Sequence, residues 1–198
     1  RKGIKKPLTF KVKRQIIEVK SVESKLLGEK KNIGYVKLKS FNENSDKQFI
    51  KEIKNYEKQK IVGYIIDLRN NGGGSLQEAI DLTGLFIETG PVVQIKSSSG
   101  RIEVEKDFDR SIHYNGPLLV LNNSFTASSS EIFSGALKDY NRGLIVGEST
   151  FGKGTVQELY EQNDGSAIKL TIAEYLNPNE YKVHKNGVKP DVEFINVK

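Results

Sequence analysis

Strand-like and helix-like patterns alternate through the middle of the chain. Residues 61–68 form a continuous apolar run, which is typical of a strand covered on both faces, and apolar positions at helical spacing follow over 75–87. A second buried-strand pattern covers 117–121, the next helix is predicted to end near Tyr140, and 144–146 has the pattern of another strand. This order predicts an α/β core built from βαβ units with right-handed crossovers.

The two ends of the chain show a period of two. Residues 7–20 alternate between apolar and polar, which predicts half-exposed strands, and a linker is then expected to lead to a strand over Ile33–Lys39. Beyond Thr155 the alternation returns, most clearly over Ala167–Tyr175. The C-terminal part is therefore predicted to be mainly β.

Two local signals add further elements. Ser45–Gln48 has the pattern of a capping box and precedes apolar residues at helical spacing, so it predicts a helix that this serine caps. Residues 92–96 and 101–106 flank the turn-forming segment Ser97–Gly100, which predicts a β-hairpin.

Composition limits the class of protein and its chemistry. The 198 residues are 36% hydrophobic and 28% charged, which suits one globular core. No apolar run approaches the ~18 residues that a membrane-spanning helix needs. The chain contains no cysteine, which excludes disulfides, thiolate zinc sites and a cysteine nucleophile.

The net charge of +6 is unevenly distributed. Residues 1–60 hold 18 Lys and Arg against 7 Asp and Glu, whereas the rest of the chain holds 13 against 18. A basic segment can bind nucleic acid. These lysines, however, lie among strand and helix signals, and no nucleic-acid recognition motif accompanies them. We interpret them as a solvated face and expect no nucleic-acid partner.

Two polar loops follow buried strands and lead into helices. Gly72–Gly74 follow the strand over 61–68, and the serine cluster Thr126–Glu131 follows the strand over 117–121. Open α/β sheets bind ligands at this edge, where helix N-termini offer unpaired N–H groups. We therefore expect the two loops to face one cleft, in which a glycine N–H and the N–H of Ser129 form an oxyanion hole.

A serine and a lysine are the candidate reactive groups. Ser128 opens a helix, and Lys153 lies between two glycines 25 positions later. Serine attacks a carbonyl only when a base removes its proton, and a lysine is a base only when it is neutral. The ordinary lysine pKa of ~10.4 would have to fall by roughly 3 units, so Lys153 is expected to be buried, with Gln157 orienting its amine. The alternative role of Ser128 is a capping box with Glu131.

Other motifs carry less weight. Gly147–Lys153 matches most of the phosphate loop of nucleotide-binding proteins, but Gly154 stands where the magnesium-binding hydroxyl is needed, so nucleotide binding is the weaker alternative. The only histidines, His113 and His184, have no partners at metal-ligand spacing. We predict no metal, no cofactor and no Ser-His-Asp triad, and we interpret both histidines as surface or loop-packing residues.

Five segments together resemble the C-terminal processing peptidases, also called tail-specific proteases. Their order and spacing match that family from about residue 30 to residue 192, which makes the resemblance specific although each segment alone is weak. The segments are Asp67–Gly74, Gly84–Ile87, Thr126–Asp139, Val146–Gln157 and Lys185–Val192.

The resemblance implies a crotonase-like or protease-subunit-like α/β core that hydrolyses peptide bonds near the C-termini of protein substrates. Asp139 matches an aspartate proposed as a third charge-relay member, but it lies eleven residues beyond the serine on one predicted helix, so only a supporting role is expected. The other implied roles are a nucleophile at Ser128, a general base at Lys153, an orienting amide at Gln157, and oxyanion donors at Gly74 and Ser129.

The family also carries a PDZ domain before its catalytic core. We expect residues 1–22 to be the end of that domain with its linker, and 23–198 to be the catalytic core. The implied partners are protein or peptide substrates with apolar C-termini, with an adaptor or a second copy as further candidates, and the implied location is the bacterial periplasm or cell envelope. The alternative function is a peptide-binding or scaffolding module of the same fold without turnover.

Overall fold

The structure is a computed structural model that describes residues 9–14 and 20–194. Ten strands and three helices follow one another in this part of the chain. The helices are α1 (Ser45–Glu57), α2 (Leu76–Gly84) and α3 (Ser129–Asp139). The strands are β1 (Val22–Leu27), β2 (Ile33–Leu38), β3 (Gly63–Asp67), β4 (Gly90–Ser97), β5 (Ile102–Asp107), β6 (Leu118–Asn122), β7 (Leu144–Gly147), β8 (Thr155–Glu161), β9 (Ala167–Leu176) and β10 (Val192–Glu193).

The main sheet has six strands in the order β1-β2-β3-β6-β7-β10. Its strands pair in parallel except β1, which runs antiparallel to β2 at one edge. Helices α1, α2 and α3 lie in the connections from β2 to β3, from β3 to β6 and from β6 to β7. Each of these three connections leads to the next strand on the same side in the sheet order. Crossovers of the usual right hand then place the three helices on one face of the sheet, where α2 packs against both α1 and α3. The predicted α/β core of βαβ units is confirmed.

A second sheet of four antiparallel strands has the order β5-β4-β9-β8. Strands β4 and β5 form the predicted hairpin, and β8 and β9 form a second hairpin that joins it through β4. The prediction of a mainly β C-terminal part is therefore confirmed. Strand β8 begins two residues after Lys153, so this sheet grows directly out of one of the candidate catalytic loops.

Helix α1 is not capped as its sequence predicts. The residue before it, Asn44, has a left-handed conformation and makes no side-chain cap. Instead, the buried carboxylate of Glu78 accepts the N–H groups of Asn44 (2.7 Å) and Asp46 (3.0 Å) and the hydroxyl of Ser45 (2.7 Å). A carboxylate on α2 therefore satisfies the free N–H groups at the start of α1, and it ties the two helices together.

Helix α2 ends three residues earlier than predicted. The N–H of Phe86 donates to the carbonyl of Thr83 at 3.0 Å, which tightens the chain into a turn after Gly84. Residues 85–87 nevertheless remain buried. Their apolar spacing therefore reports burial correctly, although it overestimates the length of the helix.

The linker expected before Ile33 is a strand. Residues 22–27 pair in antiparallel register with β2 and extend the main sheet by its edge strand. Of the strands predicted within 7–20, residues 9–14 lie outside any strand, and residues 7, 8 and 15–19 lie outside the described part of the chain. The division into 1–22 and 23–198 remains a prediction.

Aromatic rings fill the space between the helices and the sheet. Phe133 of α3 is fully buried, with its ring centroid 6.0 Å from that of Phe41 and 6.1 Å from that of Phe86. Phe86 in turn meets Phe49 of α1 edge-on at 5.9 Å. These rings come from the three connections that contain α1, α2 and α3. The start of α3, with its serine cluster, is therefore packed against an aromatic core.

We expect Phe133→Ala to lower the free energy of unfolding by about 3–5 kcal/mol, because the change removes a fully buried ring and leaves a cavity. Urea denaturation followed by circular dichroism measures this loss. Phe108→Ala is the matched control, since that side chain is 86% exposed. Equal stability of the two variants would contradict the described core.

Candidate active site

Asn71 joins the two candidate loops. Its side-chain amide donates to the carbonyl of Leu38 at 2.8 Å and accepts the N–H of Gly73 at 2.9 Å. Its main-chain carbonyl accepts the N–H of Ala127 and the hydroxyl of Ser130, both at 3.0 Å. The glycine loop after β3 and the serine cluster after β6 are therefore in direct contact, as the sequence predicts.

The glycines of the first loop are required by this contact. A β-carbon on Gly73 would lie 2.8 Å from the β-carbon of Ser128, and one on Gly74 would lie 2.3 Å from the carbonyl oxygen of Phe41. Both glycines also have positive φ angles, of 98° and 153°. Within residues 20–194, neither the N–H of Gly74 nor that of Ser129 donates to another group. These are the two donors predicted for the oxyanion hole.

The three serines of the cluster differ in their exposure and in the hydrogen bonds that their hydroxyls make. The hydroxyl of Ser129 donates to the carbonyl of Gly74 at 2.9 Å, and that of Ser130 donates to Asn71. Both residues are buried, whereas Ser128 is half-buried. Ser128 is therefore the serine of the cluster that solvent or a substrate can reach.

Ser128 has an unusual backbone conformation. Its φ of 59° and ψ of −121° lie outside the regions that residues with a β-carbon normally adopt, at a cost of about 1–3 kcal/mol. The residue is the N-cap of α3, and its N–H donates to the carboxylate of Glu131 at 2.9 Å. The Ser128–Glu131 pattern is thus a cap in part, but the glutamate also binds groups far along the chain.

Glu131 is a fully buried carboxylate on which four donors converge. One oxygen, Oε2, accepts the N–H of Ser128 and, at 2.8 Å, the N–H of Lys153. The other, Oε1, accepts the N–H of Gly152 at 2.6 Å and the hydroxyl of Thr150. Because Ser128 and Lys153 bind the same oxygen atom, their backbone nitrogens can be no farther apart than the two hydrogen-bond lengths together.

The lysine loop is also held from its other side. Lys185 donates its N–H to the carbonyl of Gly152 at 2.9 Å, and Val188 donates its N–H to the hydroxyl of Thr150 at 2.7 Å. A β-carbon on Gly187, which has a φ of 65°, would lie 2.3 Å from the carbonyl oxygen of Thr150. The segment 185–188 therefore presses the lysine loop against Glu131.

The side chain of Lys153 is exposed, so the expectation that it is buried is wrong for this chain. The flanking Gly152 and Gly154 are buried instead, because the backbone of the loop is what Glu131 holds. Among the hydrogen bonds of residues 20–194, none joins the Lys153 amine to the hydroxyl of Ser128 or to Gln157, which is also exposed. The structure brings the backbones of the candidate dyad together, whereas the exposed amine makes no hydrogen bond within residues 20–194.

An ion pair fixes the start of the glycine loop. Asp67 at the end of β3 is buried, and its carboxylate accepts two side-chain hydrogen bonds from Arg69, at 2.9 and 2.8 Å, and one from the hydroxyl of Tyr35 at 2.5 Å. Burial alone would raise the pKa of Asp67, but the hydrogen bonds from Arg69 and Tyr35 more than offset it and lower that pKa. Burial and the neighbouring carboxylate raise the pKa of Tyr35 to about 12.

Asp139 lies away from this site. It ends α3, whereas Ser128 begins it, so the two are separated by about 16 Å along the helix axis. Its carboxylate accepts the N–H of Asn179 at 2.9 Å, and burial raises its pKa. Asp139 therefore joins the end of α3 to the loop after β9, and it does not lie beside the candidate nucleophile.

The alternative motifs find little support. Strand β8, not a helix, follows the loop Gly147–Lys153, so the helix N-terminus of a phosphate loop is missing. His184 packs its backbone against Gly154, in keeping with a loop-packing residue. No three His, Asp or Glu residues within 9–14 and 20–194 are placed to hold a metal ion. A cavity of about 600 Å³ adjoins the loops, but its lining includes Arg69 and Phe125 and neither member of the candidate dyad.

Three residues that hold the site together went unrecognised in the sequence. The long-range bonds of Glu131 and Asn71 have no periodic signal, and Glu131 already fits a local cap. Thr126 is the third: it donates its hydroxyl to the carbonyl of Leu68 at 2.9 Å and accepts the N–H of Phe151 on its own carbonyl. The sequence signal for such a residue is a polar side chain next to a candidate nucleophile, at a position predicted to be buried. A buried polar group needs hydrogen-bond partners, and here the partners are the neighbouring loops.

The chain has close relatives among the proteases. It is 39% identical over 197 residues to a carboxyl-terminal-processing protease from a Synechocystis strain, an alignment that covers 96% of this chain and 44% of that protein. It is 40% identical over 192 residues to the tail-specific protease of Haemophilus influenzae, with coverage of 91% and 28%. The chain therefore spans less than half the length of these relatives.

The fold and the family agree with these relatives. The structure superposes on a photosystem II D1 C-terminal processing protease with a TM-score of 0.82 and 35% identity, covering 92% of this chain and 50% of that one. Residues 32–194, from β2 to the end of the described chain, match the family model for peptidase family S41. The fold, the paired loops and this match together show that the chain belongs to peptidase family S41.

Proposed function

We propose that this chain is the catalytic core of a serine peptidase in which Ser128 is the nucleophile and Lys153 is the general base. The observation that carries the proposal is the shared oxygen of Glu131, which accepts the backbone N–H of both residues. The bonding of the neighbouring hydroxyls supports the choice of serine, because Ser129 and Ser130 are already used in the contact between the loops.

In the proposed reaction, the Lys153 amine removes the proton of the Ser128 hydroxyl as the serine oxygen attacks the scissile carbonyl carbon. The N–H groups of Gly74 and Ser129 stabilise the negative charge on the carbonyl oxygen. As the intermediate collapses, Lys153 returns the proton to the leaving amine, and an ester on Ser128 remains. Water activated by the same lysine then hydrolyses the ester.

This mechanism requires the Lys153 side chain to turn toward Ser128. Its backbone is fixed by Glu131 and by segment 185–188, but its side chain is exposed and without a hydrogen-bond partner among residues 20–194. We propose that rotation of this side chain assembles the pair. Gln157 is proposed to orient the amine once it has turned, and a substrate lying over the site would exclude water.

The proposed substrates are proteins cut near their C-termini, with apolar terminal residues. The relatives are called carboxyl-terminal-processing and tail-specific proteases, and two strand-end loops meet at the proposed site. A periplasmic or envelope location, an adaptor and a second copy remain predictions. No helix within the described ranges, 9–14 and 20–194, is long and apolar enough to cross a membrane.

A binding module without turnover is the second candidate, and the exposed, unpaired Lys153 is the observation that favours it. A peptidase would react with a fluorophosphonate at Ser128 or turn over a substrate, whereas a scaffolding module would bind peptides and do neither. Mass spectrometry of the complete protein after labelling separates the two, with substrate turnover as the deciding readout where labelling is slow.

Ser128→Ala and Lys153→Ala are each expected to lower kcat about 10⁴-fold or more, since each removes one half of a unit that acts together. The measurement is cleavage of an unfolded protein with an apolar C-terminus by the complete enzyme. Ser124→Ala is the matched control in the loop after β6 and should retain full activity, because this exposed serine has no proposed catalytic role. Near wild-type cleavage by either dyad variant would refute the assignment.

The activity is expected to rise toward alkaline pH, since a lysine general base works only in its neutral form. A profile of kcat/KM between about pH 6 and about pH 10 measures this, with circular dichroism at each pH to show that the protein stays folded. An optimum in the acidic range would argue against a lysine base.

Glu131→Gln is expected to lower kcat about 10²-fold with little change in KM, because an amide has one acceptor oxygen for four donors and the backbones of Ser128 and Lys153 would separate. Glu78→Gln is the matched control, since that buried carboxylate caps α1 and bonds to neither Ser128 nor Lys153. It should lower stability without changing kcat per folded molecule. Equal kcat in the two variants would show that Glu131 is only structural.

A further inference from the structure

The outer half of the β8–β9 hairpin is exposed on both faces. Its residues 157–161 and 167–170 are all exposed, whereas most of β4 and the inner ends of β8 and β9 are partly or fully buried. Large apolar side chains are nevertheless frequent in it: Leu159, Tyr160, Ile168 and Leu170 are 60%, 43%, 49% and 49% exposed. A two-stranded ribbon with apolar side chains in water is only marginally stable alone, so this hairpin is suited to gaining a partner.

The partner can pair with a free strand edge. Strand β8 is the last strand in the order β5-β4-β9-β8, so its outer side has no neighbouring strand among residues 20–194. The N–H of Gln162 bonds to the carbonyl of Ser166 and closes the hairpin. Since hydrogen-bonded and non-hydrogen-bonded pairs alternate along antiparallel strands, Tyr160↔Ile168 is a bonded pair, and Leu159 and Glu161 point their N–H and C=O groups outward.

The free edge is continuous with the candidate active site. Strand β8 starts at Thr155, and Lys153 is two residues before it. At ~3.3 Å per residue, Leu159 is about 20 Å along the chain from Lys153, so an extended chain lying on this edge would lead into the cleft. The other edge strand, β5, lies at the opposite side of this sheet, so β8 is the edge that continues directly from the Lys153 loop.

The negative charge of the β8–β9 hairpin favours some extended polypeptide segments over others. Residues 155–171 contain three carboxylates, Glu158, Glu161 and Asp164, against the single Lys169, although the whole chain carries a net charge of +6. An acidic segment would be repelled by these carboxylates. A segment of alternating apolar residues with Lys or Arg between them complements both the apolar side chains and the charge.

We propose that the β8 edge binds an extended, unfolded segment of the substrate polypeptide as a fifth strand of the second sheet. Backbone pairing with Leu159 and Glu161 gives affinity independent of sequence, and the exposed apolar side chains with their flanking carboxylates favour apolar segments that carry lysine or arginine. The inference rests on the proposed peptidase function and adds to it the conformation and chemistry of the substrate. The proposed occupant is an unfolded segment because its backbone N–H and C=O groups are free to pair.

The test measures binding to the complete protein carrying Ser128→Ala, so that no cleavage occurs. The probe is a fluorescein-labelled peptide of alternating valine and lysine, followed by fluorescence anisotropy. Leu159→Pro removes an outward N–H without removing a β8–β9 hydrogen bond, and we expect it to weaken binding about 3- to 10-fold. Leu159→Ala keeps that N–H and is the control, with a smaller expected effect.

A second arm leaves the protein unchanged. Two versions of the probe carry N-methyl groups on alternate residues, on the even positions in one and on the odd positions in the other. Because successive N–H groups of a strand point to opposite sides, one version should bind about 10-fold more weakly and the other should bind like the parent peptide. Equal affinities of all three peptides would overturn strand addition, as would unchanged binding by Leu159→Pro.

A second copy of the chain is the competing occupant. Sedimentation of the peptide-free protein would then show a dimer that Leu159→Pro dissociates, with peptide affinity unchanged, and that result would also overturn the proposal. The binding readout is separate from the proposed chemistry. If Lys153→Ala cleaves normally, the catalytic assignment fails while strand addition stands, and if only strand addition fails, a short peptide spanning the scissile bond is still cleaved.

Discussion

The arrangement of the site depends on one buried carboxylate. No ion pair within residues 20–194 involves Glu131, and instead four donors from two distant parts of the chain satisfy its oxygens. A buried carboxylate that lost any of them would be left partly unsatisfied, which costs more than an ordinary hydrogen bond contributes. The carboxylate therefore fixes the turn at Ser128 and the loop at Lys153 relative to each other, and it offsets the strain of the serine backbone.

The rest of the fold brings these parts to Glu131. The parallel order of β3, β6 and β7 places three successive loops at the same edge of the sheet. Asn71 and Thr126 connect them through main-chain carbonyls, and the aromatic core holds α3 beneath them. The result is a backbone frame that hydrogen bonds hold in place, with an exposed lysine side chain beside it. Pre-organised N–H donors suit a reaction in which negative charge develops on a carbonyl oxygen. A base on a flexible side chain suits the transfer of a proton from the serine hydroxyl to the leaving amine.

The sequence predicts the layers of the fold better than its connections. Continuous apolar runs identify β3 and β6 because strands buried on both faces lack polar alternation. Period two identifies the mainly β region beyond Thr155, with β9 as its clearest strand, but not the pairing of β8 with β9. Strand β1 is missed because Glu23, Ser24 and Lys25 at an exposed edge look like a linker. The capping of α1 is missed because Glu78, more than thirty residues away, replaces the local cap. The motif Ser128–Glu131 predicts a cap, but only the structure shows that the same carboxylate also holds the lysine loop. Local patterns do not record bonds between distant residues.

The central claim is that a shared carboxylate assembles a serine and a lysine into one reactive pair. A crystal structure of the complete protein with a peptide boronate tests it most directly. The account predicts a covalent bond from Ser128 Oγ to boron, Lys153 Nζ within about 3 Å of that oxygen, and Glu131 Oε2 still bound to both backbone N–H groups. A boronate attached elsewhere, or a Lys153 amine that remains in solvent while the adduct forms, would contradict the account.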